Sequence, residues 1–290
     1  MKQIQWFPGH MAKARRLVEE KLDLVDIVFE LLDARLPSSS ANPMLSEIIG
    51  SKPRLAILNK SDLADPAAVD AWIAWFRRHG RAAVAANSLE GDPKSEIIRA
   101  ARLVLREVFA REAGRGMKTR PIRALVVGIP NVGKSQFINR LAGRAATRTG
   151  DKPGVTKAQQ YVRVADELEL LDNPGILWPK FDDPKVGLNL ALVGSIKDDV
   201  LPLEDVVHGG IRFLSAAYPG VLERRYGLDH VDPEDLAGTL DAIGRRRGAL
   251  IAGHGVDYER VIRLFLHDLR NQKFGRLTFE RAPADDEVRS

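Results

Sequence analysis

The chain is predicted to be an α/β protein, a six-stranded and mainly parallel sheet between helices, followed by a small all-α C-terminal domain. Three observations carry this. Short apolar runs alternate with helical segments up to about residue 180. Polar loops follow the C-terminal ends of those runs, where open α/β sheets bind ligands. Beyond residue 180 only the 3.6-residue apolar period remains.

In chain order, Val25 to Asp33 reads as a buried strand ending in a polar loop, and Arg54 to Asn59 as a second strand. Pro66 to His79 is helical, with proline in the first turn and Gly80 as the stop. Ala82 to Ala86 is a short strand. Lys94 to Ala113 reads as one long helix on the spacing of Ile97, Ile98, Ala101, Val104, Leu105 and Val108. Gly114 to Pro121 is a basic connector. Ile122 to Val127 is a strand that runs into a glycine-containing loop, and Lys134 to Leu141 continues as helix until Gly143. Strands at Gln159 to Val164 and Leu168 to Asp172 flank a turn at Ala165-Asp166-Glu167. Leu188 to Ile196, Leu203 to Tyr218 and Tyr258 to Asn271 are the clearest later helices. The expected organisation is an N-terminal segment 1–22, a sheet domain 23–180, a helical domain 181–282 and a flexible tail 283–290.

The bulk numbers admit this organisation. The chain has 290 residues, 44% hydrophobic and 29% charged, a length that suits a nucleotide-binding core plus a smaller domain. It contains no cysteine, which excludes disulfides, thiolate metal sites and cysteine catalysis. Residues 1–20 lack the continuous apolar stretch of a signal peptide, and no run reaches membrane-spanning length. A cytoplasmic monomer is expected. The net charge of +5 permits nucleic-acid contact without establishing it.

Gly128-Ile129-Pro130-Asn131-Val132-Gly133-Lys134-Ser135 is a GxxxxGK[ST] phosphate-binding loop between a strand and a helix. Its glycines let backbone N–H groups turn inward, and the helix after it adds the positive end of its dipole. Asn131, Val132, Gly133, Lys134, Ser135 and Gln136 are the nucleotide-binding residues here. Lys134 reaches the β/γ-phosphates, and the Ser135 hydroxyl is placed to ligate Mg²⁺. The loop alone does not choose between ATP and GTP. Asn59-Lys60-Ser61-Asp62, at the end of an apolar strand, does. Asp62 can accept from guanine N1–H and the 2-amino group, donors that adenine lacks, so with ATP a buried carboxylate would go unpaired. Asn59 is expected to brace this loop and reach the base, while the Lys60 stem covers the ring face. Asn87-Ser88 after the third strand is a second base-contacting loop, although such a pair is also a common turn. Asp172-Asn173-Pro174-Gly175 reads as DxxG: Asp172 for Mg²⁺ and the Gly175 N–H for the γ-phosphate. Thr156 of Pro153-Gly154-Val155-Thr156 is the threonine expected to close over Mg²⁺, with Thr147 and Thr149 as rivals. The base-reading loop precedes the phosphate loop, an inverted order for a guanine-nucleotide protein.

With these residues in hand the chain resembles the circularly permuted GTPases, in particular the branch that assists assembly of the large ribosomal subunit. Trp6-Phe7-Pro8-Gly9-His10-Met11-Ala12-Lys13-Ala14 matches that family's N-terminal motif. Asp33-Ala34-Arg35 with Pro37 and Asn42-Pro43 matches its segment after the first strand. The order NKSD, Asn87-Ser88, P-loop, PGVT, DNPG is the family's order, and Gly275 to Glu280 is similar to its C-terminal RNA-contacting domain. The resemblance implies GTP hydrolysis with Mg²⁺, GTP and GDP as ligands, and the large-subunit precursor, with its rRNA and proteins, as partner.

Ile176 stands where Ras-like proteins carry a water-orienting glutamine, so hydrolysis by the isolated protein is expected to be slow. His10 is one candidate: the resemblance gives the matching histidine a catalytic role, while the bland alternative is that it satisfies a backbone group in an anchored segment. Asn131 is another, since in similar potassium-activated GTPases an asparagine here helps hold K⁺. The alternative is a loop asparagine tolerating an unusual backbone angle. Arg245-Arg246-Arg247 is the densest basic run, yet residues 211–281 hold twelve Lys/Arg against ten Asp/Glu, close to balance. Residues 1–22 are more basic, five Lys/Arg against two Glu. A GTP-dependent signalling switch without RNA contact and a P-loop metabolic kinase are the competing readings, and NKSD disfavours the kinase.

Overall fold

The computed structural model describes residues 15–16, 18–89, 91–143, 161–172, 183–253 and 255–284. By internal contacts these fall into two units, 183–279 and the remainder, which includes 280–284.

The larger unit is built on one six-stranded sheet. Its strands are β1 (Ile27–Asp33), β2 (Arg54–Asn59), β3 (Ala82–Ala86), β4 (Ile122–Gly128), β5 (Tyr161–Val164) and β6 (Leu168–Asp172), in the order β3-β2-β1-β4-β6-β5. All neighbours pair in parallel except β5 with β6, which are antiparallel. Every residue of β1 is buried, as a central strand covered on both faces requires. Period-2 alternation puts Val28, Leu125 and Val127 into one cluster with Leu45 and Ile49 of helix α1 (Pro43–Ile49). Leu32, Ala56 and Leu58 form another with Val69, Trp72 and Phe76 of α2 (Pro66–Arg78). Asn42 and Asp65 cap these two helices with their side chains, and each helix opens on proline.

The segment read as one long helix departs from that reading. Residues 94–114 form two helices, α3 (Lys94–Val104) and α4 (Arg106–Gly114), meeting at Leu105. The buried face of Ile97, Ile98, Ala101 and Leu105 ends there, and α4 buries no residue. The apolar spacing continues across the junction, so periodicity does not reveal the break. After it Arg120 bonds Asp26 at 2.7 and 2.8 Å and Glu112 at 2.7 Å, tying the basic connector to the entrance of β1. Helix α5 (Lys134–Ala142) follows β4 and ends on Gly143, whose φ of 66° suits a left-handed cap.

The smaller unit contains α6 (Pro184–Leu192), a 3₁₀ turn (Asp198–Val200), α7 (Leu203–Ala217), α8 (Val221–Tyr226), α9 (Leu236–Arg247) and α10 (Tyr258–Arg270). Its core gathers Leu192, Val207, Ile211, Leu214, Ile243, Val261 and Phe265, all buried. Helix α7 passes its neighbours on glycine: a Cβ on Gly210 would lie 2.9 Å from Leu192 and 3.0 Å from Phe265. Arg270 closes the end of α6 by donating to the Ala191 and Leu192 carbonyls while pairing with Asp198. Arg225 makes two 2.9 Å bonds to the buried Asp268.

The last described residues pack with the sheet unit. Ser38 N and Ser39 N donate to the Glu280 carboxylate at 2.7 and 2.9 Å, and Ser39 Oγ also donates to it. Trp72 Nε1 donates to the Glu280 carbonyl at 3.2 Å, and Ala282 lies against the α2 cluster.

Candidate nucleotide-binding site

The parallel pairing of β2, β1, β4 and β6 aligns their C-terminal ends, and the loops that leave β1, β2 and β4 meet. Asp33 of β1 stands in register with Asn59 of β2, Asn59 with Ala86 of β3, and Val126 of β4 with Asp172 of β6. The segments that read the base and the phosphates in sequence terms are therefore neighbours in space, although 73 residues separate Asn59 from Val132.

The phosphate loop is defined by close backbone approach. A Cβ on Gly128 would lie 2.7 Å from the Leu31 carbonyl oxygen, so β1 admits only glycine there. Gly133 has φ of 97°, and a Cβ on it would lie 2.6 Å from Asn59 Nδ2. Asn131 adopts φ of 58°, uncommon for a residue with a side chain. Val132 is buried, and Gln136 is exposed on the first turn of α5. Lys134 is buried, with Nζ donating to the Gly128 and Ile129 carbonyls at 3.2 and 2.8 Å. Ser135 lies on the same first turn.

The NKSD loop is wired into this frame. Asn59 Nδ2 donates to the Val132 carbonyl at 2.8 Å, and Ser88 Oγ donates to Asn59 Oδ1 at 2.6 Å. Asn59 therefore braces the NKSD loop against the P-loop on one side and the Asn87-Ser88 loop on the other. The Asn87 side chain accepts from Leu89 N at 2.8 Å, a turn-forming bond. Ser61 N donates to the Ala86 carbonyl at 3.1 Å, joining the same two loops through backbone. Lys60 has φ of 59°, and its ammonium donates to the Asn131 carbonyl at 2.6 Å and to Asp33 Oδ2 at 3.0 Å. Burial pushes the Asp33 carboxyl up, but Arg35 and Lys60 override it and hold the group well below the usual carboxylate range. Burial lowers the Lys60 ammonium, and Asp33 opposes that shift.

Asn59, Lys60, Ser88, Asn131, Val132, Gly133 and Lys134 are thus gathered in one constellation. Asp62 follows in the turn after Lys60, and Asp172 ends β6 beside the P-loop strand, its backbone carbonyl accepting from Lys21 Nζ at 2.8 Å. His10, Thr156 and Gly175 lie outside the described residues. Two contributors escape the motif reading, Lys21 and the ionic role of Asp33. Asp33 left a signal, a carboxylate closing an apolar strand two residues before an arginine. Lys21 left none, because only the fold brings it to Asp172.

A P-loop and an NKxD loop on one mainly parallel sheet, with the NKxD strand ahead of the P-loop strand in the chain, define a circularly permuted GTPase core. The family model described as 50S ribosome-binding GTPase matches residues 123–212. A ribosome biogenesis GTPase A from Bacillus pumilus is 53% identical over 278 residues, covering 96% of this chain and 98% of that protein. Its namesake from Thermotoga maritima is 31% identical over 278 residues, covering 96% and 94%. The structure described as GNP-bound YlqF from T. maritima matches with a TM-score of 0.68 at 26% identity, covering 93% of this chain and 98% of that one. The chain belongs to the ribosome biogenesis GTPase A family.

Proposed function

We propose that this protein is a GTP-hydrolysing assembly factor for the large ribosomal subunit, docking on the pre-ribosomal particle in the GTP state and leaving after hydrolysis. The observation that carries the nucleotide reading is the pair of bonds from Asn59 and Lys60 to the P-loop carbonyls of Val132 and Asn131, which joins base and phosphate recognition in one unit. The assembly role draws on relatives named for ribosome biogenesis that match over nearly the whole chain.

In this reading Asp62 accepts from the guanine edge, the Lys60 stem covers the ring, and Asn87 and Ser88 shape the second base-contacting loop. Backbone N–H groups from Asn131 to Gln136 hold the phosphates, and Lys134 turns its ammonium to the β/γ-phosphates. The oxygen donors of Ser135 and Asp172, joined by Thr156, suit Mg²⁺, and they would hold it. The ion, when bound, neutralises charge on the β- and γ-phosphates. The Gly175 N–H senses the γ-phosphate, His10 positions or deprotonates the attacking water, and Asn131 helps hold an activating K⁺. With Ile176 after DxxG, hydrolysis is slow alone and stimulated by K⁺ and by the subunit. The protein acts as a cytoplasmic monomer.

Contact with rRNA falls to the helical unit and the basic N-terminal segment. Within the run Arg245–Arg247, Arg245 pairs with Asp241 and Arg247 donates to the Arg225 carbonyl. Arg247 also lines a depression with Arg260 and Arg263, a concentration of cations suited to phosphate. Co-sedimentation tests the function: the protein should travel with large-subunit precursors with a non-hydrolysable GTP analogue and not with GDP. Absence from ribosomal fractions in both states would sink the assembly role in favour of a switch acting on a protein effector.

A further inference from the structure

Asp33 is fully buried at the C-terminal end of β1 and is held from several sides. Its backbone N–H donates to Ser40 Oγ at 3.0 Å. Arg35 N and Nε donate to Oδ1 at 3.1 and 2.9 Å, and Arg35 Nη2 donates to Oδ2 at 2.7 Å. The same Oδ2 accepts from Lys60, whose ammonium also reaches the Asn131 carbonyl. A contiguous chain of bonds thus runs from Arg35 through Asp33 and Lys60 to the P-loop. Lysine carries a long flexible stem with three donors, so two acceptors are needed to hold it in one path. Of the two, Asp33 is the charged one, and Arg35 holds it in place. Lys60 and Asn131 both sit in the left-handed region, a conformation that persists only where surroundings over-determine it.

We infer that Asp33 is a positioning residue of the nucleotide site: its carboxylate sets the Lys60 side chain against the P-loop and so governs guanine-nucleotide affinity. The inference rests on the reading of NKSD as the base-binding loop. Asp33 touches neither base nor phosphate and acts through Lys60, so its loss weakens binding of GDP and GTP alike and leaves the chemical step intact.

A double-mutant cycle tests it on the full-length protein, with GDP affinity, KM and kcat measured for wild type, Asp33→Asn, Lys60→Met and the double variant. Asp33→Asn should weaken GDP binding roughly tenfold, the scale seen when a ligand side chain loses its supporting partner, and raise KM for GTP in proportion at little-changed kcat. The double variant should bind GDP no more weakly than Lys60→Met alone. Wild-type GDP affinity in Asp33→Asn, or losses that multiply in the double variant, would overturn the inference while leaving the site reading in place. Wild-type affinity in Lys60→Met would overturn the site reading and the inference with it. Should Asp33→Asn not fold, Asp33→Glu, which keeps the charge and moves it by one methylene, is judged by the same criteria.

Discussion

Gly133 admits no side chain because Asn59 occupies the space a Cβ would take. One residue before it Val132 offers its carbonyl to Asn59, and one before that Asn131 offers its own to Lys60. Three consecutive P-loop positions are thus shaped by the NKSD loop. Asn131 also carries a left-handed backbone while its carbonyl accepts from the Lys60 ammonium. The proposed K⁺ role belongs to the same residue: hydrolysis should accelerate when K⁺ replaces Na⁺ at constant ionic strength. Equal phosphate-release rates in the two salts would remove K⁺ from the mechanism and leave Asn131 a bracing role. Residue types in these motifs are legible in the sequence because each is contiguous. The bonds between motifs are not, since they depend on which strands become neighbours.

At the level of elements, the loop joining β1 to α1 carries two loads. At its start Asp33 and Arg35 face the nucleotide loops, and further on Ser38 and Ser39 receive the carboxylate of Glu280. The chain passes through the helical unit between residues 183 and 279, and Glu280 then fastens it again to the sheet unit. Glu280→Ala would remove the charged acceptor of Ser39 N, in a buried residue, which should cost about 1–3 kcal/mol, while the exposed Ser38 N would turn to water. Chemical denaturation followed by tryptophan fluorescence would register the loss through Trp72, and an unchanged midpoint would show the clasp to be energetically idle. Strand and helix identities here were readable from local pattern: β2, β3 and β6 match the apolar runs residue for residue, and α10 follows its period closely. The break at Leu105 was not readable, because the spacing that marks a helical face does not record where the sheet ceases to cover it. The return of Glu280 was equally hidden, since it depends on a partner 241 and 242 residues away.

For the molecule as a whole, charge and the proposed partner belong together. A net charge of +5 is modest, and under the proposed function a near-balanced helical unit would have to concentrate its cations locally to grip RNA, the place for which is the depression lined by Arg247, Arg260 and Arg263. Binding to the large-subunit precursor should therefore weaken steeply as salt rises, because phosphate contacts release counterions. A salt-independent affinity in the sedimentation assay would point to ribosomal protein as the main contact. The inverted motif order states something else at this scale. The guanine-nucleotide class was already determined along the chain, because GxxxxGK[ST] and NKxD are short contiguous segments whose chemistry travels with them in either order. Tertiary structure alone decided that the two loops are joined in space. That required β2, β1 and β4 to lie side by side in parallel, closing hydrogen bonds across 27, 71 and 73 residues. Long-range contacts of this kind come from the burial of whole strands, and no local segment encodes its partner.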